Sequence, residues 1–140
     1  MIYLVDTNVI SELRETRSRR PNAGVAQWAR SVPEASLYLS AMTIFELELG
    51  TLQALRRDPP KGNALRAWID KQVMPTFSGR ILAIDMEVAQ RCAALHIPDS
   101  LSERDAFIAA TALVHNLTVV TRNTADFVPT GVPILNPWNA

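Results

Sequence analysis

Four acidic residues of this 140-residue chain fall at segment boundaries where an α/β fold could gather them. Asp6 directly follows Ile2-Tyr3-Leu4-Val5, a short apolar run that reads as a buried strand. Glu46 lies early in a long apolar helix, between Ile44-Phe45 and Leu47. Asp105 sits in the first turn of the apolar helix after Ser102, and Asp126 comes just after a further strand, Leu117 to Thr121. Taken singly, Asp6 reads equally well as a helix N-cap, Asp105 as the third member of a capping box opened by Ser102, and Asp126 as a surface turn residue. Glu46 is harder to set aside, because an unpaired carboxylate in an apolar stretch is costly. Glu48, two residues on, should face elsewhere, toward solvent. Taken together the four suggest more than caps. Carboxylates in one cleft raise one another's pKa, and a fold that keeps several together calls for a cation. The donors are all oxygen, which favours Mg²⁺ or Mn²⁺ over Zn²⁺.

Competing chemistries find weaker support. Cys92 and His96, four apart, are half a zinc site with no second pair, and His115 reads as a helix-end residue. The five glycines are scattered and form no phosphate loop, and no Gly-x-Ser-x-Gly elbow occurs. Asp6 as a phosphoryl-accepting nucleophile would want an acid at position 8 and a lysine at a later strand end. Position 8 is Asn8, and neither Lys61 nor Lys71 follows a strand.

The elements that must position these acids alternate. Strands are expected at Ile2 to Val5, around Leu37 to Leu39, at Arg80 to Ile84, at Leu117 to Thr121 and at Val132 to Leu135, where Pro133 suggests an edge. Helices are expected after Asp6, over Ala23 to Ser31, from Ile44 to the Pro59-Pro60 pair, over Asn63 to Val73, from Asp85 to about His96, and over Ala106 to His115 with Asn116 as a left-handed end. Arg122 to Phe127 is a polar turn or short helix. This order implies an α/β fold with a mostly parallel sheet of four to five strands covered on both faces. In such a sheet, ligands bind beyond the carboxyl ends of the strands, where Asp6, Asn123 and Asp126 fall.

Length and composition set the outer bounds. One domain over residues 1–140 is expected, and 48% hydrophobic content with no net charge argues against disorder. The longest soft apolar stretch, Ala106 to Val114, is far short of the ~20 residues a bilayer requires. One cysteine and no basic segment before Met1 to Val5 point to a reducing cytoplasm. Of 14 basic residues only Lys61 and Lys71 are lysines.

Four segments carry a resemblance. Leu4-Val5-Asp6-Thr7-Asn8-Val9-Ile10-Ser11-Glu12-Leu13 resembles the opening motif of PIN-domain proteins, and Ser40-Ala41-Met42-Thr43-Ile44-Phe45-Glu46-Leu47-Glu48-Leu49-Gly50 their second. Arg104 to Ala112 and Thr121 to Phe127 resemble the third and fourth. The four motifs come in family order and extend over Ile2 to about Phe127. Within the family the chain looks most like the VapC and FitB toxins of type II toxin–antitoxin systems, and the Asn136-Pro137-Trp138 ending is similar to the FitB type.

The resemblance implies a Mg²⁺- or Mn²⁺-dependent endoribonuclease. Asp6, Glu46 and Asp105 match its core acids, Asp126 or Asn123 its fourth position, and Thr7 a frequent helper hydroxyl. Asp126 is taken here as the acid and Asn123 as a helper. RNA brings its own negative charge to such a site, so Arg14, Arg17, Arg19, Arg20 and Arg122 are candidate RNA contacts, although Arg14 to Arg20 reads equally as a solvated loop. The implied partners are a small antitoxin of the VapB or FitA type and a second copy of the chain, for which the apolar helix Asn63 to Val73 offers a face, with larger toxin–antitoxin assemblies following from these. A PIN nuclease of RNA processing, or an inactive RNA-binding module of the same fold, are the alternatives.

Overall fold

In the computed structural model, which describes residues 1–139, the first strand is β1 (Tyr3–Val5). Its β-branched and aromatic residues alternate between two covered faces: Leu4 packs into one core cluster and Val5 into another. Asp6 ends the strand and starts α1 (Thr7–Leu13), and α2 (Ala23–Ser31) follows, capped by Asn22. Then come β2 (Leu37–Ser40), α3 (Ala41–Arg57), α4 (Pro59–Trp68), a π-helical stretch (Ile69–Val73), α5 (Met74–Thr76) and β3 (Ile81–Leu82). The chain closes with α6 (Met86–Leu95), α7 (Glu103–His115), β4 (Thr118–Val120), α8 (Thr124–Phe127) and β5 (Ile134–Leu135).

The five strands are all parallel, in the order β3-β2-β1-β4-β5. The chain winds outward from β1 through β2 to β3, then returns past β1 to β4 and β5. The direction of winding therefore reverses between β1 and β4, and the crevice where ligands bind in such sheets opens at the carboxyl ends of that pair. Val5 stands beside Val120 in the register, which sets Asp6 next to Thr121 at the crevice. One face of the sheet is covered by α1, α2 and the π-helical stretch through Val9, Ile10, Trp28, Ile69 and Val73. The other is covered by α7 and α8 through Ile108, Ala109, Ala112 and Phe127.

Several boundaries differ from those read in the sequence. The helix expected over Asn63 to Val73 starts at Pro59. Its two prolines occupy the first positions, where a helix needs no N–H donor, and Asp58 accepts from the Lys61 amide at 3.4 Å. Ile69 and Val73 are buried in this chain's own core, so these two residues are not available to a second copy. The strand expected over Arg80 to Ile84 pairs only at Ile81–Leu82, and the last strand is confined to Ile134–Leu135 at the sheet edge after Pro133. The Ser102 capping box does not form: Ser102 precedes α7, but its side chain caps no amide. Asn116 does take the left-handed conformation, with φ 56°.

Candidate active site

Asp6 is 4% exposed and is held from several sides. Its Oδ1 accepts from the Thr7 amide at 2.8 Å. Its Oδ2 accepts from the Thr121 hydroxyl at 2.7 Å and from Asn8 Nδ2 at 3.3 Å. Asp6 thus caps only its immediate neighbour and offers its other oxygen to a side-chain network. Burial pushes its pKa up to about 6; the bonds from Thr121 and Thr7 pull against this, and the charges of Glu46 and Asp105 add to it.

Thr7 joins the first acid to the second. Its hydroxyl donates to Glu46 Oε1 at 2.8 Å and lies 3.2 Å from the Thr43 hydroxyl, which is fully buried. Glu46 is half-buried near the start of α3. Asp105, in the first turn of α7, has its pKa raised by burial, then by Asp126 and Glu46. Asp126 is exposed on α8. Asp6, Glu46 and Asp105 therefore share one electrostatic environment, with Asp126 at its edge. Among the described residues no three Asp, Glu, His or Cys side chains meet closely enough to form a finished coordination sphere. The acids line a crevice without clasping a point. Mutual repulsion in a partly buried site, with oxygen as the only donor, suits a hard divalent cation. From Thr7 and Glu46 a cleft of about 390 Å³ continues between α3 and α4 to Arg57 and Lys61.

The candidate cations divide. Arg122 is at the crevice: its amide donates to Asn8 Oδ1 at 3.3 Å, and its guanidinium lies 5.2 Å from the Trp138 ring centroid. The Asn123 amide donates to Thr121 Oγ1 at 3.0 Å, so Asn123 buttresses the hydroxyl that holds Asp6. Arg14 to Arg20 follow the far end of α1, about 10 Å along the helix from Asp6. Arg19 is a structural tie there. It pairs with Glu12 at 2.9 Å and donates to the Glu12 and Arg14 carbonyls. Arg20 donates to the Thr16 carbonyl, and Arg14 lies over Trp68. Arg17 is exposed in the same loop. Glu48 turns away from the acids, as expected, but pairs with Arg66 at 2.6 Å instead of facing bulk water. His96 accepts from the Leu101 amide at Nδ1 and faces Cys92 Sγ with Nε2 at 4.0 Å, but among the described residues no further Asp, Glu, His or Cys joins the two to make a metal site.

Thr121, Asn8, Thr43 and Arg104 were not singled out as site residues in the sequence. A signal for Thr121 existed: it ends β4 as Asp6 ends β1, one residue past the paired Val5 and Val120. Arg104 approaches Glu46 Oε2 at 3.9 Å from the position before Asp105.

Comparison with known proteins agrees with this fold. The PIN domain family profile matches residues 3–128. The chain is 41% identical over 144 residues to the toxin FitB of Neisseria gonorrhoeae, covering 99% of each. The solved structure of FitAcB from that organism superposes with a TM-score of 0.86 at 40% identity, with all of both chains covered. A VapC ribonuclease of Sinorhizobium fredii, Y4jK, is 35% identical over 98% of each chain. A toxin–antitoxin complex from Klebsiella pneumoniae contains a chain matching at TM-score 0.65 and 29% identity, over 96% of this chain and 97% of that one.

Proposed function

The chain belongs to the PIN-domain family, and from that premise we propose that it is a Mg²⁺- or Mn²⁺-dependent endoribonuclease acting as the toxin of a toxin–antitoxin pair. The observation that carries the reading is the linkage of Asp6 to Glu46 through Thr7, with Asp105 close enough to raise the pKa of Asp6, at the point where the sheet reverses its winding. The ribonuclease and toxin relatives named above support it. Its partner is then an antitoxin protein, as the match to a toxin–antitoxin complex suggests, and its compartment the cytoplasm.

Asp6, Glu46 and Asp105 would hold the divalent ion, with Asp126 as the outer acid. When bound, the ion supplies Lewis acidity, making water a nucleophile near neutral pH and offsetting charge on the phosphodiester in the transition state. The chain's own residues prepare that site. Thr121 and Asn8 orient one oxygen of Asp6, while the Thr7 amide orients the other. The Thr7 hydroxyl fixes one oxygen of Glu46 and leaves the second turned toward Arg104. With a pKa of about 6, Asp6 is mostly ionised at pH 7 but protonates readily below it. No histidine is needed.

The test is cleavage of RNA in Mg²⁺, abolished by EDTA and by Asp6→Asn or Asp105→Asn with the fold retained. Wild-type cleavage rates in either variant, or cleavage undiminished in EDTA, would overturn the proposal.

A further inference from the structure

Arg104 stands at the rim of the acid crevice with its donors uncommitted. Its side chain is 49% exposed, and among the described residues its one approach to a carboxylate, Glu46 at 3.9 Å, lies outside hydrogen-bond reach. A committed pair in this protein looks different: Arg66 meets Glu48 with two bonds, at 3.0 and 2.6 Å. Arg104 is nonetheless not free to wander. Its guanidinium lies 5.2 Å from the centroid of the Phe45 ring, and Phe45 is itself 50% exposed. Phe45 and Arg104 directly precede Glu46 and Asp105 in the chain, so the pair stands beside two of the acids. A large aromatic residue half in water beside a carboxylate makes little sense as core packing. It does make sense as a platform that holds a cation in place.

We infer that Arg104 is the residue that grips a backbone phosphate of the RNA at the acid crevice, with Phe45 as its positioning residue. This rests on the nuclease reading above. An acidic site repels a polyanion, so a cation beside Glu46 must offset that repulsion before the substrate can settle. The planar guanidinium offers paired N–H donors that match two phosphate oxygens, which a lysine ammonium cannot do. Among the arginines weighed in the sequence, Arg19 and Arg20 bond within their own loop and Arg14 lies past the far end of α1, so the loop is a poorer source for this contact, while Arg122 stands over Trp138 beside Asn8 and Arg104 is the one that approaches Glu46.

The experiment measures binding of a fluorescein-labelled single-stranded RNA of mixed sequence to the full chain carrying Asp6→Asn, which blocks cleavage, over a range of KCl concentrations at fixed Mg²⁺. Adding Arg104→Ala should weaken binding about tenfold, the lower end for a charged hydrogen-bonded contact on a half-exposed group. It should also flatten the slope of log K against log salt by about 0.7, the value of one phosphate contact to a single strand. Arg104→Lys should keep the slope and recover part of the affinity. Phe45→Leu should weaken binding by a smaller factor with the slope unchanged, because the contact is still made. If Arg104 served only to accompany Glu46, Arg104→Ala would shift thermal stability and leave the slope alone, and that result would overturn the inference. RNA cleavage by the unsubstituted chain, run alongside, separates the two levels. Cleavage together with an unchanged slope refutes Arg104 alone, whereas no cleavage in Mg²⁺ refutes the nuclease reading and this inference with it.

Discussion

At Asp6 three donors favour the charged carboxylate, yet burial still holds its pKa at about 6. The folded value lies above the 3.8 of the free side chain, so between about pH 4 and 6 the native state keeps a proton that the unfolded chain releases. The stability this provides is complete below about pH 4 and is lost as pH rises through 6, leaving a penalty of up to ~3 kcal/mol at pH 7. Asp6→Asn removes the charge and keeps the shape. In EDTA at pH 7 it should melt above wild type, by about 1–2 kcal/mol once its weaker neutral hydrogen bonds are counted. The gap should close by pH 4, as followed by thermal melts across pH. Mg²⁺ should then raise the melting temperature of wild type and not of the variant. Asp6→Ala is the blunter change, because it also deprives the fully buried Thr121 hydroxyl of its acceptor. Thr121→Val tests the support of the site. Loss of its bond to Asp6 should raise the Asp6 pKa further, lower RNA cleavage by about tenfold or more, and move the acidic limb of the pH–rate profile upward. The acids were legible in the sequence because carboxylates at strand ends and in apolar runs are conspicuous. Thr121 and Thr43 were not, because a threonine in or beside a strand is what packing alone would place there.

Between elements, α4 approaches α3 closely at Gly62. A Cβ on Gly62 would meet the Leu55 amide nitrogen at 2.5 Å and its Cα at 2.6 Å, and backbone atoms cannot swing aside. Gly62→Ala should therefore cost about 1–3 kcal/mol in denaturant unfolding despite alanine's better helix propensity. It should also lower cleavage, because α4 forms one wall of the cleft that begins at Thr7 and Glu46. A variant as stable as wild type would mean that the two helices pack with slack. This hairpin shows where local signals stop. The paired prolines correctly mark the end of α3 at Arg57, but the same residues open α4, since proline is unfavourable inside a helix and well suited to its first turn. The short strands are a second case. Hydrophobic runs fix where β3 and β5 lie but not their length, which depends on how far the neighbouring strand continues, and both stop at two residues.

For the whole molecule, the alternation of strands and helices is enough to imply a parallel sheet covered on both faces. It does not give the strand order, because order depends on which way each crossover turns, and the crevice between β1 and β4 follows from that order. Oligomeric state is still less local. The helix that looked apolar enough to join two copies turns Ile69 and Val73 into its own core. An exposed apolar face is present on α3. Its inner side buries Thr43, Leu47 and Thr51, while Phe45 and Leu52, seven residues apart and so on one stripe, are 50% and 55% exposed. A stripe on a 17-residue helix is self-complementary under a two-fold axis, since antiparallel copies bring the same residues together. The contact centres on Leu52, which leaves Phe45 at the end of the stripe open beside Arg104. The expected outcome is a homodimer with twice the 15.5 kDa chain mass by light scattering at micromolar concentration. Leu52→Glu should convert it to a folded monomer with a nearly unchanged melt, because a half-exposed residue contributes little to the core. A wild-type monomer would refute the dimer, and a dimer that survives Leu52→Glu would place the contact on another face.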